Sequence, residues 1–330
     1  MKVLVTGCAG MIGTKLVEML INSDIPVVGC DNFFRGERDN IDFLNKLAIK
    51  KQSSFEFHEL DLLDGLPATI LENVDTVVHL ADVVGGIKYV FDNQLDVFNL
   101  NVTIDANTVR AVAKSKVTKY IYAATACSFP HQLQNSVDSM LYEKDKFPAD
   151  PESPYGWSKL VGELQSIFLN KIDGIESARV IFHNVYGPWC DFDLDTSQVI
   201  PALINKAYNL KDNEKLEVWG DGKQARSFIN SYDIANSLLA MIKSDKSLNE
   251  YDSVQLGDKV GTTIEELSKM ILSELGKDKD LIKYINPDYR GDVGRIPDQT
   301  LAKKLGLEQQ IGVHEGIREL IEWAKDNGKI

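Results

Sequence analysis

Cysteine is scarce in this chain of 330 residues: Cys8, Cys30, Cys127 and Cys190 are all there is, with no CxxC pair and no histidine at metal spacing. That excludes a disulfide framework and a structural zinc site, and no metal is expected. Cys8 and Cys30 lie in or beside apolar strand runs, where a reduced thiol behaves as a small hydrophobe. Long apolar runs are missing too. No stretch approaches the roughly 18 consecutive apolar residues of a membrane span, and the opening MKVLVTGCAGMIG breaks at Gly7, too early for a signal peptide. The expected compartment is the cytoplasm. Positive charge is in deficit, with 36 Lys+Arg against 49 Asp+Glu and a net charge of −13. Such a surface argues against nucleic acid as a partner. It leaves room for a small anionic ligand, because a local cationic pocket overrides a global negative field.

What remains is an ordinary globular composition, 44% hydrophobic and 26% charged, long enough for one large domain or two coupled lobes. Repeats and low-complexity tracts are absent. Short β-branched runs at 2–6, 26–30, 54–59, 75–80, 118–124 and 177–183 read as buried strands. Between them, 12–22, 40–50, 94–115 and 156–171 carry helical apolar spacing. This alternation predicts an α/β fold, a Rossmann-type doubly wound parallel sheet with helices on both faces. Its ligand crevice belongs at the carboxyl ends of the strands.

The pattern loosens past residue 184. Gly187-Pro188 stops a strand, the acidic loop CDFDLDT follows, and a helix begins near Ser197. A strand at 215–219, a helix at 232–243, a strand at 251–256 and helices at 263–275 and 313–326 complete the chain, with KDKDLIK as a solvated connection. These elements predict a smaller C-terminal α/β lobe, some of whose segments return to the first sheet.

Gly7-Cys8-Ala9-Gly10-Met11-Ile12-Gly13 follows the first strand and opens the first helix. Glycines let the backbone turn tightly and approach a pyrophosphate, which the free N–H groups of the helix start then bind. Asp31 ends the second strand 18 residues past Gly13, close to where an acid holds the ribose 2′-hydroxyl. A carboxylate there repels a 2′-phosphate and favours NAD over NADP. Arg35 nearby keeps the second cofactor in view, and Asp31 as a simple loop cap is the bland alternative.

Tyr155-Gly156-Trp157-Ser158-Lys159 sets a phenol and an ammonium four residues apart, on one helical face. A free phenol, with a pKa of about 10, is a poor base at neutral pH. A neighbouring ammonium and an oxidised nicotinamide both stabilise the phenolate. YxxxK alone often arises by chance; here it follows a nucleotide loop and a strand ending in Ala124-Thr125-Ala126-Cys127.

The glycine loop, Asp31, Asp61-Leu62, His79-Leu80-Ala81, Asn101, Thr125 and YxxxK stand in the order seen in the extended short-chain dehydrogenases/reductases. Over essentially its whole length the chain resembles that family's NAD-dependent nucleotide-sugar epimerases and dehydratases. The resemblance implies tightly held NAD and hydride abstraction from sugar C4. It makes Tyr155 the base, Lys159 its electrostatic and ribose partner, and Thr125 a hydrogen bond to the sugar. It puts Asp61 and Leu62 beside the adenine and Asn101 near the nicotinamide pocket. Met11, Ile12, Asn32, Leu80 and Ala81 join the three glycines and Asp31 as cofactor contacts. Residues 1–184, with return segments near 226–258, become the NAD-binding domain, and 185–330 mainly the nucleotide-sugar lobe.

Finer motifs look most like the GDP-mannose 3,5-epimerase branch, with features of GDP-fucose synthases. They are Gly85-Gly86, Thr125-Ala126-Cys127, FHNVYGP at 182–188, SQVIPALI at 197–204 and VWGDGKQARSF at 218–228. In both branches the cysteine is an acid/base at C3 and C5, which suits a ketone at C4 that acidifies its neighbouring C–H bonds. By the same resemblance Gly85, Gly86, Thr125, Asn184, Val199, Arg226 and Arg295 contact the substrate, a GDP- or UDP-hexose. The two arginines hold its diphosphate or else pair with Asp233, Asp292 or Asp298, and Val218-Trp219 edges the base pocket or belongs to the core. Cys127 as an inert buried thiol is the competing reading.

The chain also departs from these branches. It has no lysine between Pro188 and Pro201, and Gln198 stands where the synthases have a histidine; an amide cannot shuttle protons. His131 and His183 are the conceivable substitutes, though an exposed loop residue and a pocket-wall residue respectively are the plainer readings. Ala126-Cys127 replaces the Asp-Glu pair of dehydratases. The rivals are a UDP- or GDP-hexose 4-epimerase, a 4-keto-sugar epimerase/reductase, and a non-catalytic NAD-binding sensor. A homodimer through the helices at 94–115 and 156–171 is expected by resemblance.

Overall fold

The computed structural model describes residues 1–286 and 291–330, and for Ile87 and Lys88 the backbone alone. Its centre is a sheet of seven parallel strands. Five come from the first part of the chain: β1 Val3–Thr6, β2 Val27–Asp31, β3 Phe55–Glu59, β4 Thr76–His79 and β5 Lys119–Thr125. Glu176–Phe182 and Gln255–Leu256 extend the sheet beyond β5. β1 and β4 are buried along their whole length, as expected of strands covered on both faces. The strand order reverses between β1 and β4, each of which pairs with the other and with a different second neighbour. A crevice at the carboxyl ends is therefore built around Gly7 and the residues after His79.

One face is covered by α1 (Met11–Asn22) and the helix Ser231–Lys243, through Leu16, Val17, Leu20, Ile234 and Leu238. The other carries the long helices Gln94–Ala113 and Pro154–Asp173, with Val97, Ile104 and Leu169 turned inward. A third core joins Val199–Tyr208, Ile264–Glu274 and Val313–Asp326 through Ile204, Leu267, Ile271 and Leu320. Among the described residues, no helix is long and apolar enough to cross a membrane.

The six strands read from the first half all belong to the central sheet, and the last helix keeps its expected bounds, 313–326. The strand expected at 251–256 shrinks to Gln255–Leu256. Leu248–Tyr251 forms a 3₁₀ turn instead, and the Asp252 side chain takes the Arg179 backbone N–H at 2.9 Å and Nε at 2.8 Å, so a side chain occupies the strand donor that a backbone ladder would use. A four-stranded sheet was not foreseen: Thr262–Thr263, Ala225–Arg226, Gly294–Pro297 and Met140–Leu141. Strands of two to four residues carry too little alternation to be seen in sequence.

Candidate active site

Gly7 leaves β1 with φ +68°, and a Cβ there would lie 2.9 Å from the Ala81 nitrogen. At Gly13 a Cβ would stand 2.1 Å from the Gly7 oxygen. The loop therefore closes only with glycine at both places. Gly10 caps α1 without any side-chain hydrogen bond, so the first N–H groups of the helix remain for an anion. Asp31 stays beside this loop by accepting from Ala9 N–H at 2.9 Å and Phe33 N–H at 2.8 Å. Burial pushes its carboxyl pKa up, against the pull of these donors. Asn32 Nδ2 donates to Asp61 Oδ2 at 3.1 Å, and Asn107 holds the carbonyl of Leu62 at 2.8 Å. The glycine loop, Asp31 and the Asp61-Leu62 turn beside it thus fit a dinucleotide. Arg35 donates to Val84 O at 2.8 Å and lies 3.7 Å from Asp191, so its guanidinium is engaged away from the ribose acid.

From this loop a cavity of about 680 Å³ runs to the small sheet of the C-terminal part; its size suits a cofactor together with a substrate. Every site residue read from the sequence lines it except Asn101 and Lys159. Asn101 is buried behind the wall, accepting from Val83 N–H at 2.7 Å and donating to Val83 O at 2.9 Å. It shapes the turn after β4 and does not reach the cavity. Gly85 and Gly86 let that turn approach its neighbours: a Cβ on Gly86 would lie 2.7 Å from Ser197 O. Asn184, Val199 and Gln198 stand in the wall of the same cavity.

Ser153 caps the helix Pro154–Asp173 by accepting from Gly156 N–H. Gly156 lets the helix pass the Cys127 backbone, whose oxygen would be 2.2 Å from a Cβ. Tyr155 then points its hydroxyl into the cavity and donates to Asp82 Oδ2 at 3.0 Å. Lys159 Nζ lies 3.7 Å from the same oxygen and 4.5 Å from the centre of the Tyr122 ring. Behind it, Tyr122 donates to Asp105 at 2.6 Å, and His79 Nε2 is 3.0 Å from the other oxygen of that carboxylate. This buried network fixes where the ammonium stands. Burial first, and then the charge of Asp82, push the Tyr155 phenol well above its ordinary pKa. Asp82 was missed in the sequence, though an acid directly after His79-Leu80-Ala81 was there to be read.

At the far end Thr125 closes β5 and accepts from Cys127 N–H at 3.2 Å. Ser128 ties the turn to Thr125 O and Glu163, each at 2.7 Å. Cys127 is partly accessible, whereas Cys8, Cys30 and Cys190 are buried. Its Sγ accepts from Arg295 Nη1 at 2.9 Å, and Arg295 Nη2 donates to Asp292 at 2.8 Å. The guanidinium is a donor-only, permanently charged partner for the sulfur. Arg226 and Arg295 sit opposite each other on adjacent parallel strands. Burial and the charge of Arg295 push Arg226 down to about 10, the electrostatic condition of a site that accepts an anion. Of the two histidines, His183 is a buried wall residue whose pKa burial lowers to about 3. It stays neutral and cannot be a working acid. His131 is exposed, as expected, yet bound to Asp292. A second missed residue, Glu152, lines the cavity three positions before Tyr155.

A doubly wound sheet, a glycine-rich loop after β1, an acid at the end of β2 and a Tyr/Lys pair whose phenol opens on the same cavity define a dinucleotide-dependent enzyme of the Rossmann class. The sequence profile of the NAD dependent epimerase/dehydratase family matches residues 3–257; the chain belongs to that family, and its cofactor is NAD. It is 29% identical over 329 residues to GDP-mannose 3,5-epimerase 1 of Oryza sativa subsp. indica, covering 99% of this chain and 82% of that one. It is also 29% identical to a putative UDP-glucose 4-epimerase of Methanocaldococcus jannaschii, covering 99% of each. Among solved structures it is similar to UDP-N-acetylglucosamine 4-epimerase from Methanobrevibacter ruminantium M1 in complex with UDP-N-acetylmuramic acid. That match has a TM-score of 0.84 and 26% identity, and covers 99% of this chain and 98% of the other.

Proposed function

We propose that this protein is a nucleotide-sugar epimerase that oxidises C4 of its hexose transiently and inverts a carbon next to the ketone, in the manner of the GDP-mannose 3,5-epimerases. The observation that carries the reading is that Tyr155 and Cys127 open onto one cavity, with the sulfur held on the Arg295 guanidinium at 2.9 Å. NAD, which the glycine loop and Asp31 would hold, would supply the hydride-transfer chemistry at C4. Tyr155 takes the proton of the C4 hydroxyl and gives it back, with Lys159 beside it and Thr125 orienting the hydroxyl. Cys127 exchanges the proton at the neighbouring carbon, whose acidity the ketone raises. Arg226, with Asn184, meets the diphosphate, for which a guanidinium is a bidentate partner.

A second reading, a UDP-hexose 4-epimerase, is favoured by the full-length similarity to the putative UDP-glucose 4-epimerase. It needs only Thr125, Tyr155, Lys159 and NAD, with Cys127 as lining. Incubation with GDP-mannose, UDP-glucose and UDP-galactose in deuterated water separates the two. Deuterium at C3 or C5, lost in Cys127→Ala while NAD binding persists, is the expected result. An epimer formed without label establishes the second reading, and no turnover of any sugar nucleotide overturns both.

A further inference from the structure

The first reading leaves inversion one group short. A proton removed from one face must be replaced on the other, and neither Gln198 nor the neutral His183 can deliver it. We propose that Glu152 is this second proton-transfer group, and that Asp292 and His131 connect it to solvent.

The geometry is a chain of contacts with one end in the cavity and the other in water. Glu152 lines the cavity together with Thr125, Cys127 and Tyr155. Its carboxyl is hydrogen-bonded to Asp292, which is buried. Asp292 Oδ1 meets His131 Nδ1 at 2.5 Å, and the His131 side chain is 57% exposed. Potential donor atoms of His131, Glu152 and Asp292 all lie within 4.8 Å of one another. Asp292 also receives Arg295, whose other nitrogen holds Cys127 Sγ. Thiol and carboxyl are therefore two branches from one buried aspartate.

The charges around the chain assign the direction of transfer. Arg295 and Arg226 face Glu152 from the small sheet, and Asp292 faces it from the loop before Gly294–Pro297. Burial and the Asp292 charge outweigh the two arginines and raise the Glu152 pKa, which favours the protonated form of this carboxyl. The Asp292 hydrogen bond, with the charges of Asp292 and Asp150 beside it, raises the His131 pKa and keeps the imidazole a donor.

Within the C4-oxidised sugar the step balances as follows. The Cys127 thiolate takes the C–H proton, and the electron pair moves into the enolate of the ketone. Glu152 gives its proton to that carbon on the opposite face, so one C–H bond breaks and another forms. Glu152 is reprotonated from His131 through Asp292, the exposed His131 takes a proton back from water, and the thiol proton leaves to water, which restores the enzyme.

This proposal rests on the first reading of the function, and its test is built to fail separately. Full-length NAD-bound protein is compared with Glu152→Gln and His131→Gln in deuterated water, with the sugar nucleotide that the unaltered protein labels. Glu152→Gln is expected to lose inversion at least 100-fold while Cys127 still washes deuterium into unreacted substrate, with retained configuration. A merely structural role for Glu152 lowers exchange and inversion together. His131→Gln is expected to slow turnover several-fold and to remove the dependence of its rate on buffer pH near neutrality. Inversion by Glu152→Gln within about threefold of the unaltered protein overturns the Glu152 assignment alone, as does equal loss of exchange and inversion. An unaltered protein that labels no C–H bond overturns the reading and this proposal together.

Discussion

Asp82 bridges the phenol and the ammonium that helical spacing brings together: Tyr155 donates to Oδ2 at 3.0 Å, and Lys159 Nζ lies 3.7 Å from the same oxygen. The carboxylate opposes the ammonium. It holds the phenol in its protonated form, while Lys159 and an oxidised nicotinamide favour the phenolate.

Replacing that carboxylate by an isosteric amide removes the opposing charge and keeps an acceptor for the hydroxyl. Asp82→Asn is expected to shift the pH midpoint of substrate-driven cofactor reduction downward by roughly 1–2 units. The sign follows from the direction of the effect, since Asp82 raises the Tyr155 pKa. Absorbance of reduced cofactor across a pH series measures it, and an unmoved midpoint removes Asp82 from the control of Tyr155.

Gly13 tests the phosphate loop. With a Cβ placed 2.1 Å from Gly7 O, Gly13→Ala must spread the turn and misalign the N–H groups of α1. NAD affinity is expected to fall at least tenfold, about 1.4 kcal/mol, as titration calorimetry would report. Unchanged affinity would mean that the pyrophosphate does not use this turn.

Stability carries a pH signature from His183. Its folded pKa is about 3, below the ordinary value of about 6.5. Between these values the unfolded chain binds a proton that the native chain refuses. Stability from this group therefore falls as pH falls, by up to about 1.4 kcal/mol per unit once well below 6.5. Asp31 and Asp233, whose pKa values burial raises, contribute with the opposite sign at lower pH. The contrast between His183→Phe and the unaltered protein isolates the term. Urea midpoints from pH 7 to pH 5 should decline less in the variant, and parallel curves would refute the assignment.

Self-association is a further proposal. Trp157, Leu164, Phe168 and Ile172 form an exposed apolar stripe on the helix Pro154–Asp173, with Ile172 76% and Phe168 54% accessible. Such a face on a helix that also carries the site is economically covered by a second copy. Phe168→Glu with Ile172→Glu is expected to halve the mass seen by sedimentation, with the far-ultraviolet dichroism unchanged. An unaltered protein that already sediments as a monomer sinks the idea.

The legible parts of the molecule share one property: their signal is local. Strand–helix alternation predicts the central sheet because β1, β2, β4 and β5 are short, largely apolar runs, and the glycine loop and Tyr155/Lys159 declare themselves by spacing. What escaped depends on contacts between distant segments. Arg295 was read as a diphosphate ligand or else an ion-pair partner of Asp233, Asp292 or Asp298; it pairs with Asp292 and also holds Cys127, and nothing within GRIPD foretells a cysteine 168 positions earlier. Glu152 is a single acid without a motif, Asp82 merely follows one, and the fold turns both toward the cavity. Asn101 was read as a cofactor neighbour, and its amide is consumed by the Val83 backbone.

One arginine also bears on how such an enzyme spends its cofactor. Arg35 leaves the loop after β2, donates to the backbone of Val84 beyond β4, and reaches Asp191 of the acidic loop, so a single side chain laces three rims of the cavity together. Loosening those rims means unfastening all three at once. For the proposed epimerase, such lacing would oppose loss of the dinucleotide between turnovers.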